Sequence, residues 1–176
     1  HTGIEALARS IDQTIEEHLA FGAKNCCVPG LPGSFFHQTV AGYSCAGEVL
    51  NTAAEKLAKA GIALSYHNHG HEFKPVGDSC GLVYLFENAP LMNMQLDVGH
   101  AYAAHQVPEE WIARYINRIK TVHYKDVTFI DGVRRDYPIG EGDVNWNAVT
   151  SEIKKSGCEY IIVEHEEFIR DAWDIC

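Results

Sequence analysis

Four apolar runs of this chain end in side chains that bind metal ions or carry protons. "SYHNHGHEF" places His67, His69, His71 and Glu72 after one run, and "QLDVGH" places Asp97 and His100 after the next. "TVHYKD" then brings His123, Lys125 and Asp126, and "IIVEHEE" brings Glu164, His165 and Glu166. Any one of these groups has an ordinary explanation, as a capping residue or a hydrogen-bonded core histidine. Their recurrence at corresponding places points instead to one shared rim. Asp97, His123 and Glu164 offer two carboxylates and an imidazole, a ligand set suited to one divalent ion among Mn²⁺, Co²⁺, Fe²⁺, Mg²⁺ and Zn²⁺. Without a thiolate the set does not resemble a closed structural zinc site. It would hold a Lewis acid with positions open to substrate oxygens.

Such a rim needs strands that end together. Ile11 to Gly22 reads as a helix with Ile15, Leu19 and Ala20 on one side, followed by the short run "KNCCVPG". Ala41 to Gly61 reads as a second helix, with Val49, Leu50, Ala53, Ala54 and Leu57 at three and four spacings, and it leads into "IALSYHN". "VPEEWIARYINRI" follows the run "LMNMQLDVG" and carries a proline near a helix start, acids in the first turn, and Trp111, Ile112, Tyr115, Ile116 and Ile119 toward a core. Asp143 is the expected cap of a helix in "VNWNAVTSEIKKSG", whose Trp146, Val149 and Ile153 share a face before the last run. Strands alternating with helices at intervals of roughly 30 residues predict an α/β fold with a parallel sheet. Ligands of such sheets sit at the C-terminal strand ends.

Composition narrows the function classes. A chain of 176 residues, 46% hydrophobic and 22% charged, has apolar material for one globular unit. No run approaches the roughly 18 apolar residues of a membrane span, and the first residues lack the order of a secretory signal, so the expected location is cytoplasmic. The six cysteines are irregularly spaced with no CxxC, which predicts reduced, mostly buried thiols. A formal charge of -10 and no basic tract argue against nucleic acid as a partner.

The motifs "YHNHGHEF", "LDVGHA", "HYKD", "GEGDVNW" and "VEHEEF", in this order over residues 66 to 168, resemble the xylose-isomerase-like barrel superfamily. That superfamily comprises sugar (phosphate) isomerases and epimerases, sugar dehydratases and endonuclease IV. The resemblance implies a (β/α)8 TIM barrel whose metal is held by Asp97, His123 and Glu164, with His100 touching substrate. A complete barrel takes about 250 residues, whereas five strands corresponding to the fourth through eighth are legible here. Residues 1–176 are therefore expected to be a single barrel domain present in part and cut at both ends, its last helix begun at "RDAWDIC". Many epimerases of the superfamily bind the metal through a glutamate where this chain has Ser65, and the branch with "YHNH" departs from that pattern in the same way. Alternate strand residues share a face, which makes His67 the expected fourth ligand and Glu72 its competitor.

The resemblance implies proton removal beside a sugar carbonyl to give an enediolate. Its fate decides between epimerisation, aldose–ketose isomerisation, and loss of a β-substituent by a dehydratase or a 3-keto-glycoside hydrolase. Metal-dependent isomerase or epimerase chemistry on a sugar or sugar phosphate is the leading expectation. Glu164, His69 and Glu72 are the expected catalytic residues, and His100, Lys125 and Glu166 the expected substrate contacts. "GEGDVNW" is expected to be a structural turn. A non-catalytic carbohydrate-binding barrel is the alternative of another class, and an endonuclease IV-like enzyme fits worst because it needs a cationic face. Nothing in the sequence opposes a homo-oligomer.

Overall fold

The computed structural model describes residues 1–32, 38–167 and 171, arranged as two compact units, His1–Asn93 and Met94–Cys176. The expected final helix at "RDAWDIC" and the end of "VEHEEF" fall outside the described residues.

In the first unit, helices α1 (Ile4–Arg9) and α2 (Ile11–Ala20) precede strand β1 (Asn25–Val28). Helix α3 (Val40–Lys59) then leads to strand β2 (Ala63–His67). β1 and β2 are parallel, in register from Asn25 beside Ala63 to Val28 beside Tyr66. The Thr39 side chain caps α3, accepting from the Gly42 N–H at 3.1 Å, as N-cap hydroxyls do for otherwise unpaired amides. Tyr43, Ala46, Gly47, Leu50, Ala53, Ala54 and Leu57 form its buried stripe. Beyond β2 come a 3₁₀ turn (His71–Phe73), the short antiparallel strands β3 (Pro75–Val76) and β4 (Ser79–Cys80), and helix α4 (Gly81–Glu87). α3 and α4 pack closely at Gly47, where a Cβ would lie 2.6 Å from the Leu85 carbonyl oxygen. On α2 the structure corrects the expected face. Ile11 and Thr14 are buried, whereas Leu19 is 57% exposed.

The second unit holds β5 (Asn93–Asp97), α5 (Val98–Ala103), α6 (Pro108–Arg114), a 3₁₀ turn (Ile116–Arg118) and β6 (Ile119–Tyr124). β7 (Asp126–Ile130), β8 (Val133–Tyr137), α7 (Trp146–Lys155) and β9 (Tyr160–Val163) complete it. β6 runs parallel to both β5 and β9, pairing His123 with Asp97 on one side and with Ile162 on the other. Three departures from expectation have local causes. Tyr115, at φ -111°, ends α6, so Ile119 opens strand β6 instead of closing a helix. Asn145, not Asp143, caps α7 by accepting from the Ala148 N–H, while Asp143 accepts from the Thr128 hydroxyl at 2.6 Å. β7 and β8 form an unanticipated antiparallel hairpin whose turn residues Asp131 and Gly132 both have positive φ, 52° and 77°. Asp-Gly pairs accommodate that mirror-image turn, which matches the twist of hairpin strands.

Among the described cysteines only Cys26 and Cys27 are buried, Cys45 is exposed, and none is in a disulfide. No described helix is long and apolar enough to cross a membrane.

Candidate metal centre

The second unit brings Asp97, His123 and Glu164 together. Asp97 closes β5 and caps α5, its Oδ1 accepting from the His100 N–H at 2.7 Å. His123 lies beside it in register on β6. Glu164 follows β9, and its backbone N–H donates to the Tyr124 carbonyl at 3.0 Å, which turns its side chain back to His123 Nδ1. One ligand atom from each of the three lies within 4.8 Å of the others.

Lys125 completes the cluster. It is fully buried, with Nζ 2.9 Å from Glu164 Oε1, 2.9 Å from Glu166 Oε1 and 3.6 Å from Asp97 Oδ2. Helix α5 can close over it because residue 99 is glycine, since a Cβ there would lie 2.7 Å from the Lys125 carbonyl oxygen. Burial pushes the Asp97 carboxyl up to about 7, against the opposing pull of Lys125 and the His100 N–H. Burial would also raise Glu164, but hydrogen bonds from Lys125 and His123 more than reverse it and hold the carboxyl at about 2. For Lys125 burial favours the neutral amine, and the charges of Asp97, Glu164 and Glu166 outweigh it, so its value is raised.

The donor chemistry fits a divalent cation. The set is oxygen and nitrogen with two negative charges and no thiolate, and it includes a buried carboxylate whose ionisation stays costly even with the Lys125 ammonium 3.6 Å away.

Around this cluster stands a rim that the sequence reading missed. Arg134 on β8 donates from Nη2 to Asp136 Oδ1 at 2.7 Å, and its Nη1 lies 3.3 Å from His100 Nδ1. A guanidinium only donates, so His100 Nδ1 accepts and the neutral ring carries its proton on Nε2. The signal for this rim is the Asp-Gly pair, which predicts a hairpin and puts residues 134 and 136 on one face. Asp126, grouped by the sequence with the other strand-end residues, turns out to hold a loop instead of facing the rim. Its Oδ2 accepts from the N–H groups of Gly140 (2.8 Å) and Gly142 (3.0 Å) and from Trp146 Nε1 (2.7 Å), and its Oδ1 from Val127 (2.9 Å) and Val144 (3.2 Å). "GEGDVNW" is thus folded around a buried carboxylate, the structural turn the sequence suggested.

The first unit holds the remaining candidates. His67 ends β2 and is buried, its ring perpendicular to that of His69 at 4.9 Å, and His69 stacks on His71 at 5.8 Å. Glu72, expected as a competing ligand or a base, lies with His69 and His71 in a second group able to hold a cation, and it also holds its loop. Its Oε1 accepts from the Tyr66 hydroxyl at 2.7 Å and its Oε2 from the His69 N–H at 2.8 Å. Tyr66 in turn packs edge-on against Phe86 of α4, which places Glu72 with the side chains that face α4. Burial and the neighbouring Glu72 charge push the Tyr66 phenol well above its usual range.

Comparison with known proteins agrees with this architecture. A family described as Xylose isomerase-like TIM barrel matches residues 3–173. An inosose dehydratase of Clostridium perfringens is 24% identical over 136 residues, covering 68% of this chain and 46% of that protein. A crystal structure of a sugar phosphate isomerase/epimerase from Parabacteroides distasonis superposes with a TM-score of 0.82 at 25% identity, covering 96% of this chain and 59% of that one. A Xylose isomerase-like TIM barrel protein from Mycobacterium smegmatis, solved in complex with magnesium, shares the fold with a TM-score of 0.70 at 17% identity, covering 98% of this chain and 63% of that one. The chain spans about half the length of the curated relatives it matches. The α/β barrel expected from the sequence, present in part, is the fold these proteins have, and the chain belongs to the xylose isomerase-like TIM barrel family.

Proposed function

We propose that the protein acts as a divalent-metal-dependent sugar isomerase or epimerase that removes a proton beside a carbonyl and passes through an enediolate. The observation carrying this reading is the convergence of Asp97, His123 and Glu164 around a buried lysine at the ends of the parallel strands β5, β6 and β9. A bound divalent cation would supply Lewis-acid stabilisation of the oxyanion that develops as the proton leaves.

The chain's own groups divide the remaining work. Asp97, His123 and Glu164 hold the cation. Glu164 stays ionised across the working pH range because its carboxyl is held at about 2. His100, with its proton on Nε2, donates a hydrogen bond to a substrate oxygen. His69 is the proposed base, since an imidazole both accepts and returns a proton near neutral pH. Glu72 accepts from the Tyr66 hydroxyl and the His69 N–H, which orients it beside His69 and leaves His69 the preferred base.

A second reading, β-elimination of water, is favoured by Lys125. Its ammonium lies 2.9 Å from the ligand carboxylate Glu164, where its charge would stabilise a hydroxyl leaving as water while the base takes the C–H proton and passes it on. The inosose dehydratase relative is in keeping with that outcome.

The test is solvent exchange. With metal restored, incubation in D₂O with a panel of ketoses and cyclitol ketones is expected to place deuterium at the carbon beside the carbonyl. Elimination would add an enone absorbance. Deuterium in no recovered sugar sinks the enediolate mechanism, and a protein that takes up no divalent ion is a binding module instead.

A further inference from the structure

One carboxylate in the second unit bridges two cations. Glu166 Oε1 accepts from Lys125 Nζ at 2.9 Å, and its Oε2 lies 3.5 Å from Arg134 Nη2. The position is built. The Glu166 backbone N–H donates to Asp136 Oδ2 at 3.1 Å, and the other Asp136 oxygen takes the Arg134 guanidinium at 2.7 Å. Asp136 and Lys125 are buried, while the Glu166 side chain is 52% exposed. The neighbouring Arg135 is itself paired with Glu167 at 3.4 Å.

A lysine and an arginine meeting at one point is an arrangement that receives phosphate or carboxylate. Here the chain fills that point with its own side chain. Charge balance agrees. Asp97, Glu164, Asp136 and Glu166 oppose Lys125 and Arg134, and one divalent cation on Asp97 and Glu164 makes the whole group neutral. An uncharged substrate keeps that balance, whereas a phosphate ester brings a charge of about -1.5 to -2 that Lys125 and Arg134, already paired with carboxylates, do not offset.

We propose that Glu166 is a specificity-determining residue that occupies the anion position between Lys125 and Arg134, so that the site takes an uncharged ketose or polyol and turns away sugar phosphates. The choice of sugar class rests on the function proposed above; the occupied anion position does not. Because the bridging carboxylate is tethered, an external phosphate competes against a high effective concentration of it.

Inorganic phosphate is the probe, titrated into chelator-treated protein and followed by ³¹P NMR line width. Wild type is expected to bind it at least tenfold more weakly than Glu166→Gln or Glu166→Ala. The gain should vanish when Arg134→Gln is added to either variant. Circular dichroism would verify that each variant is folded, as expected for changes at partly exposed positions. Equal phosphate affinity in wild type and both Glu166 variants overturns the proposal, as does a gain that survives loss of Arg134. The titration needs neither metal nor turnover. A negative result therefore leaves the sugar reading standing, and a failed deuterium exchange leaves the titration intact.

Discussion

Metal affinity should depend steeply on pH because of one buried carboxyl. Asp97 is completely buried, and burial pushes its carboxyl from 3.8 up to about 7. Its folded form thus keeps a proton that the unfolded chain gives up near pH 4. Between those values the folded state binds more protons, so the stability of the metal-free protein falls as pH rises from about 4 to about 7. A cation needs the ionised carboxylate and must expel that proton. Apparent affinity should therefore climb about tenfold per pH unit from pH 5 to 7 and then level off, leaving binding roughly 100-fold weaker at pH 5 than at the plateau. His123, which must also be neutral to bind, can only steepen the slope. Competition of Mn²⁺ or Zn²⁺ against a chromophoric chelator at several pH values measures this directly. Asp97→Asn removes the charge while keeping a cap acceptor for the His100 N–H, and it should weaken binding by roughly 100-fold or more at neutral pH and flatten the slope. Affinity that stays constant between pH 5 and 7, or wild-type binding in Asp97→Asn, would refute the reasoning.

Two further substitutions test the scaffold around the site. Tyr66→Phe removes the donor to Glu72 Oε1 inside a fully buried pair, so urea unfolding should show a loss of about 1–3 kcal/mol; an unchanged midpoint would mean that Glu72 finds water or another donor. Asp126→Ala deprives four backbone N–H groups and the Trp146 indole of their acceptor, and should cost about 3 kcal/mol or more with a shift in Trp146 emission. A variant with native stability and emission would show that "GEGDVNW" holds its shape without the carboxylate.

The candidate ligands were legible in the sequence for a simple physical reason. An apolar run that stops at a polar group marks a buried strand reaching a rim, and Asp97, His123 and Glu164 each follow such a run. The long helix α3 was legible too, because its stripe repeats at helical spacing over many residues. The β7–β8 hairpin is hard to read from periodicity although its Asp-Gly turn is written in the chain, since β8 carries Arg134, Arg135 and Asp136 in a row and shows no apolar alternation. α6 ends earlier than its apolar spacing predicts. Ile116 and Ile119 continue its apolar spacing, yet one serves a 3₁₀ turn and the other a strand.

Partners were much less legible than positions. Lys125 reads as a substrate contact at a strand end, and its burial depends on Glu164, 39 residues away, and on Gly99 letting α5 close over it. Glu72 has the chemistry of a base, and its bonds from the Tyr66 hydroxyl and the His69 N–H orient it beside His69. Glu166 looks like a substrate contact until Lys125 and Arg134 claim it. Residue type and period along a chain specify which groups a strand can deliver to its end, because those are local properties of backbone and solvent. Which of those groups stays available for chemistry depends on neighbours brought from far along the chain, and the folded arrangement alone supplies them.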